Sequence, residues 1–140
     1  ILGRTDDVIN VAGHRIGTQE IEEAISMHPE MAECAVVGIQ DELKGELPIA
    51  FCVLKDQTQI ETTENRFRIE QQVIGAVVKS LGGIARPAAI YFPQALPKTR
   101  SGKILRRSIR ALAEDQPTGD MSTLDNPSAI DAIKQAMKDY

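Results

Sequence analysis

Cys34-Ala35-Val36-Val37-Gly38-Ile39 and Ile49-Ala50-Phe51-Cys52-Val53-Leu54 decide the fold. Both are short, nearly continuous apolar runs. Such runs fit central strands covered on both faces, because neither face alternates with polar residues. The link from Gln40 to Pro48 is polar and hairpin-like. Downstream, Ala88 to Phe92 reads as a short third strand.

Helices flank these strands. Thr18 reads as the N-cap of a first helix, with Glu20, Glu22 and Glu23 where the helix dipole favours anions. Ile21, Ala24 and Ile25 give its apolar face. Pro29 ends it near His28. There, the last carbonyls and the imidazole could attract a cation. A long helix is expected from about Glu64 to Leu81, with Phe67, Ile74, Val78 and Leu81 on one stripe and Val73 and Val77 beside it. Gly82-Gly83 stops it. At the N-terminal side, β-branched residues around Ala12-Gly13-His14 suggest a β-hairpin. Near the C-terminal side, Lys103 to Ala113 reads as a basic helix with Leu105, Ile109 and Leu112 inward. The composition turns polar after Glu114, and Asn126-Pro127 opens a thin amphipathic tail helix. The expectation is a small α+β domain: a β-hairpin followed by a three-stranded sheet packed by helices.

The 140 residues suffice for one domain with a real core. Their balance, 42% hydrophobic and 26% charged, is that of a globular protein. No apolar run is long enough to cross a bilayer, so no membrane partner is expected. The net charge of −4 argues against a dedicated nucleic-acid binder. Cys34 and Cys52 each sit inside an apolar run and read as reduced core residues; with no signal-peptide pattern, a cytoplasmic setting is expected. The chain opens at Ile1 rather than Met and reads as a piece of a longer protein.

Against that acidic background stands Leu96-Pro97-Lys98-Thr99-Arg100-Ser101-Gly102-Lys103-Ile104-Leu105-Arg106-Arg107. Lys98, Arg100, Lys103, Arg106, Arg107 and Arg110 place six cations within thirteen residues. Two readings follow: a solvated basic helix, or Lys103 presented to an anion at a loop tip. It is not a phosphate loop of the G-x-x-x-x-G-K-[ST] kind, since Pro97 and Ile104 occupy the first and last required positions. Nor do two His and two Cys make a hydrolytic triad or a zinc spacing.

This stretch, taken with Gly3-Arg4-Thr5-Asp6-Asp7-Val8-Ile9-Asn10-Val11-Ala12-Gly13-His14-Arg15-Ile16-Gly17, closely resembles the C-terminal domain of the AMP-forming acyl-CoA synthetases. The likeness is greatest to propionate–CoA ligases, then to acetyl-CoA synthetases. It covers essentially the whole chain and extends through Gly119-Asp120-Met121-Ser122-Thr123. The resemblance implies a ligase that uses ATP with Mg and then CoA. A short-chain carboxylic acid becomes an acyl-adenylate and then a thioester. It implies residues 1–6 as the end of a hinge, 7–113 as a mobile domain and 114–140 as a tail. It also implies an N-terminal adenylation domain as partner, absent from this chain, so that the fragment alone is inactive.

By the same resemblance, Lys103 serves adenylation, Asp6 is the hinge, and Arg4 and Arg15 meet ATP. Ala12, Gly13 and His14 line the CoA path. Some acetyl-CoA synthetases bind a metal ion at the helix end matching Ser26, His28 and Met31. Where relatives often place an Arg to meet CoA, this chain has Val78. Lys103 is also implied as a site of reversible acylation, with an acyltransferase and a deacylase as partners. The rival class is a nucleic-acid or protein-binding module using the 98–110 basic run, which leaves the Arg4–Gly17 stretch unexplained.

Overall fold

A computed structural model of the chain describes residues 8–56, 58, 61–114 and 128–139. Arg4, Asp6 and the stretch Gly119 to Thr123 lie outside the described residues. The elements in order are β1 (Val8–Val11), β2 (His14–Gly17), α1 (Thr18–Ser26), β3 (Met31–Asp41) and β4 (Gly45–Leu54). Then follow α2 (Thr63–Leu81), a 3-10 turn (Gly83–Ala85), β5 (Ala89–Tyr91), α3 (Arg106–Ala113) and α4 (Ser128–Asp139).

The two apolar runs are the antiparallel pair β3–β4, in register with Val36 opposite Ala50 and Cys34 opposite Cys52. β5 adds parallel to β4 through Ile49, Ala50 and Phe51. The expected α+β domain and its three strands are therefore present. The hairpin does not merely project: Val11 pairs with Gly45, so β1 and β2 extend the same sheet to five strands.

Alternation along β3 and β4 sends side chains to two cores. Cys34, Val36, Ala50, Cys52 and Leu54 face α1, α2 and the hairpin. Ala35, Val37, Ile49, Phe51 and Val53 face α3 and α4. Two covered faces account for the unbroken apolar runs. Phe51 is fully buried, with Tyr91 5.3 Å away between ring centroids; its burial stabilises the fold by about 1.5–3 kcal/mol.

Three expectations are corrected. The N-cap of α1 is Gly17, without a side-chain cap bond, and Thr18 is a fully buried residue inside the helix. In α2 the buried stripe is Ile69, Val73 and Val77, while Phe67 is 60% exposed. The helix carries two adjacent apolar tracks, and the i, i+4 track fits against the sheet. Finally, α3 starts at Arg106, because residues up to Leu105 belong to the preceding loop.

Candidate functional site

The loop between β5 and α3 closes on itself. Lys98 and Ile104 form an antiparallel bridge. Leu105 N donates to Pro97 O at 2.9 Å, and Thr99 N donates to Lys103 O at 2.9 Å. Gly102 N donates to Thr99 O at 2.9 Å, and Lys103 N to Thr99 Oγ1 at 3.2 Å. Gly102 has φ +88°, a left-handed turn that glycine adopts without penalty. Behind the loop, Leu96 is fully buried and anchors its first leg. The result is a small, internally bonded loop with Gly102 and Lys103 exposed at its end.

The six cations divide sharply. Lys98 Nζ meets Glu33 Oε2 at 2.6 Å. Arg106 grips Glu22 with both Nε and Nη2. Arg110 reaches Glu46 at 3.0 Å and Glu114 at 3.3 Å. Arg100, Lys103 and Arg107 are exposed and form no ion pair among the described residues. Arg106 and Arg110 are thus not a solvated helix face. Glu22 and Glu46 are far away in sequence and turn them toward the body of the domain, while Glu114 pairs with Arg110 from one helical turn on. Carboxylates thus offset three of the six charges that a nucleic-acid backbone would otherwise meet.

The hairpin presents backbone where the loop presents a side chain. Ala12 and Gly13 form its two-residue turn with φ +50° and +86°, both left-handed, closed by the Val11–His14 pair. Two positive φ values match the right-handed twist of the strands. At Ala12 they cost about 1–2 kcal/mol, because its Cβ crowds the carbonyl. Ala12 N donates to Lys44 O at 2.7 Å, which ties the turn to the β3–β4 connection. Ala12, Gly13, His14 and Arg15 are all exposed. Glu46 continues this tie from below: one oxygen accepts from Asn10 N at 2.9 Å and the other faces Arg110.

At the end of α1, His28 Nδ1 accepts from Glu30 N at 3.1 Å. Its Nε2 therefore carries the proton and donates to Gln72 Oε1 at 2.6 Å. Ser26 Oγ donates to Glu23 O, and Met31 is buried in the core. His28 thus spends both ring nitrogens on neighbouring groups and the Met31 thioether lies in the core, while Ser26 stays exposed and Glu30 and Gln72 line the same surface as His28. The described residues contain no group of three His, Cys, Asp or Glu placed to hold a metal.

Two features escaped the sequence. One is the set of acids, Glu22, Glu33 and Glu46, that fix the basic run; nothing in their local spacing marks them. The other is a cleft of about 540 Å³ between α2, β4 and β5, lined in part by Lys44, Phe67, Glu70 and Arg86. Burial there pushes the Glu70 carboxyl above its ordinary range, with Arg66 pulling the other way.

Comparison with known proteins yields one family model, the AMP-binding enzyme C-terminal domain, matched by residues 20–103. The chain is 50% identical over 139 residues to a propionate–CoA ligase of Escherichia coli, covering 99% of this chain and 22% of that protein. It is 49% identical to an acetyl-coenzyme A synthetase of Pyrobaculum arsenaticum, again covering 99% of this chain and 20% of the relative. Among solved structures, an acyl-CoA synthetase of Brucella canis superposes with a TM-score of 0.66 at 38% identity, over 81% of this chain and 19% of that one. An anthranilate CoA ligase in complex with anthranoyl-AMP gives a TM-score of 0.70 at 34% identity, over 81% of this chain and 21% of that one. The chain spans about a fifth of the length of the curated relatives it matches.

Proposed function

The chain belongs to the AMP-binding enzyme C-terminal domain family, and from that premise we propose that it is the mobile lid of a short-chain acyl-CoA synthetase. The whole enzyme joins propionate, or a similar short acid such as acetate, to CoA. In the first half-reaction a carboxylate oxygen attacks the α-phosphorus of ATP, and pyrophosphate leaves. In the second, the CoA thiol attacks the acyl carbon of the adenylate, and AMP leaves. Mg enters with ATP as part of the substrate. The acyl pocket and most of the nucleotide site belong to an upstream domain.

Lys103 is the residue of the first half-reaction. A carboxylate closing on a phosphate brings two anions together, and charge builds further in the transition state. An ammonium on a flexible stem offsets that charge. The observation that carries this reading is the division of the basic run. Lys98, Arg106 and Arg110 are held by carboxylates, while Lys103 stands exposed at the end of a closed loop, beside a left-handed glycine. Acylation of Nζ by an acyltransferase removes that charge, and a deacylase restores it.

Arg4 and Arg15 are the nucleotide contacts of this reading, and Asp6 is the hinge about which the domain turns. Ala12, Gly13 and His14 line the CoA path in the second half-reaction. Two small residues in a tight turn let the backbone run beside a narrow, extended thiol arm.

The test is Lys103→Ala in the full-length chain. Pyrophosphate release is expected to fall by about 10²–10³-fold, while thioester formation from preformed acyl-adenylate stays near the parent rate. Equal loss of both half-reactions would remove Lys103 from the adenylation step.

A further inference from the structure

Helix α3 breaks a local rule. Its first turn carries Arg106 and Arg107 and no acidic residue. Its N-cap, Leu105, offers no side-chain acceptor. Cations at a helix N-terminus oppose the macrodipole, and a missing cap leaves amide donors unserved. A helix chosen for stability alone would place an acid there.

The compensation comes from another element. Glu22 of α1 sends both carboxylate oxygens to the Arg106 fork, with Arg106 Nε at 2.8 Å from Oε2. Oε2 also accepts from Val36 N at 2.8 Å, so the carboxylate is fixed to β3, the strand at the end of the sheet order, before it meets the arginine. Both side chains are largely buried, at 12% and 21% exposure. A pair of this kind gives back in desolvation much of what it gains in attraction, so its worth lies more in geometry than in stability.

That geometry falls on the second leg of the lysine loop. Arg106 follows Lys103 by three residues, directly after the Pro97–Leu105 closure. The first leg is held in the same manner, by Lys98 on Glu33 of β3. The two ion pairs bracket Lys103 and leave Thr99 to Leu105 between them. Glu33 and Glu22 are both tied to the edge where α1 meets β3.

We propose that Glu22 and Arg106 are positioning residues for Lys103: the bidentate pair fixes the C-terminal leg of the loop, and so the point from which the ammonium reaches the adenylation centre. This deepens the reading of Lys103 given above and rests on it. A lysine placed from an unclamped leg would still bind anions, but it would miss the reacting oxygens by a distance comparable to a bond length, which costs about 10²-fold.

The experiment compares Arg106→Met, Arg106→Lys, Glu22→Gln and Lys103→Ala in the full-length chain, each assayed for both half-reactions. Arg106→Met is expected to lower the adenylation kcat by about 10–10²-fold, with the KM for ATP and the thioester step within about twofold. Arg106→Lys keeps the charge but not the fork, and should recover only part of the loss. Glu22→Gln retains an acceptor for Val36 N but leaves the largely buried Arg106 without its partner charge, so it should unfold at lower denaturant than the parent, yet in the folded enzyme lose adenylation alone, like Arg106→Met. An unchanged adenylation kcat in Glu22→Gln and Arg106→Met, beside a crippled Lys103→Ala, overturns the positioning role and leaves the lysine assignment standing. Equal loss of both half-reactions with a lowered melting temperature also overturns it, as a general structural role. Parent-like adenylation in Lys103→Ala overturns the assignment and the positioning role together.

Discussion

The lysine loop and the hairpin turn are two exposed connections built on opposite plans. The loop is closed by its own backbone bonds and clamped at both legs by carboxylates, and its apex is a charged side chain. The turn is two residues long, left-handed at both, and bound through Ala12 N to a neighbouring connection; it exposes little but main chain. A group that must deliver charge to a transition state needs a rigid base and a free tip. A surface that must lie along a slender ligand needs absent side chains. The difference between the two fits two successive reactions served by one domain.

The sharpest way to break this comparison is to give the turn a side chain. Gly13→Leu meets no steric obstacle, since no atom lies within 4 Å of an added Cβ. It does force leucine to φ +86°, at about 1–2 kcal/mol of strain. Thioester formation from acyl-adenylate is expected to fall by about 10-fold or more, with pyrophosphate release unchanged. That is the reverse of the Lys103→Ala pattern. Gly13→Asn tolerates a left-handed φ and separates strain from bulk. Slowed adenylation with an intact CoA step would exchange the roles of the two connections.

How much of this was legible in the sequence follows from range. The apolar runs 34–39 and 49–54 announced strands covered on both faces, because that pattern is local. Gly102-Lys103 left two local readings open, a solvated basic helix or a lysine at a loop tip, and the exposed loop end matches the second. The single Val11–Gly45 bridge that merges hairpin and sheet has no local signature. Nor does Glu22, which sits 84 residues from Arg106 and reads as an ordinary helix acid. In α2 both apolar tracks were visible, but only packing against the sheet selects Ile69, Val73 and Val77 over Phe67.

Glu46 joins the two regions and tests whether they move as one body. It holds Asn10 N of the hairpin and Arg110 of the helix that follows the loop, and its side chain is only 12% exposed. Glu46→Gln keeps the acceptor for Asn10 and removes one of the two partner charges of Arg110, leaving Glu114. Unfolding in denaturant is expected to show a loss of about 1.5–3 kcal/mol. Both half-reactions should slow by a similar small factor. A loss confined to one half-reaction would show that the connections are set independently.

The smallest effect comes from the strands beneath both connections. Cys34 and Cys52 face each other across β3 and β4. Burial pushes the Cys34 thiol from 9.0 up to about 12, with Glu22 adding to the rise, and it drives Cys52 well above its ordinary value. A thiol whose folded pKa is raised contributes its full stability below the unfolded value. That contribution fades as pH climbs from about 9 toward the folded value, because only the unfolded chain ionises there. The slope for one such thiol approaches about 1.4 kcal/mol per pH unit. Denaturant midpoints at pH 8 and pH 10 should therefore separate the parent from Cys34→Ala, whose alkaline loss is shallower by that amount. An identical alkaline slope in Cys34→Ala would mean that this thiol ionises as readily in the folded sheet as in the open chain.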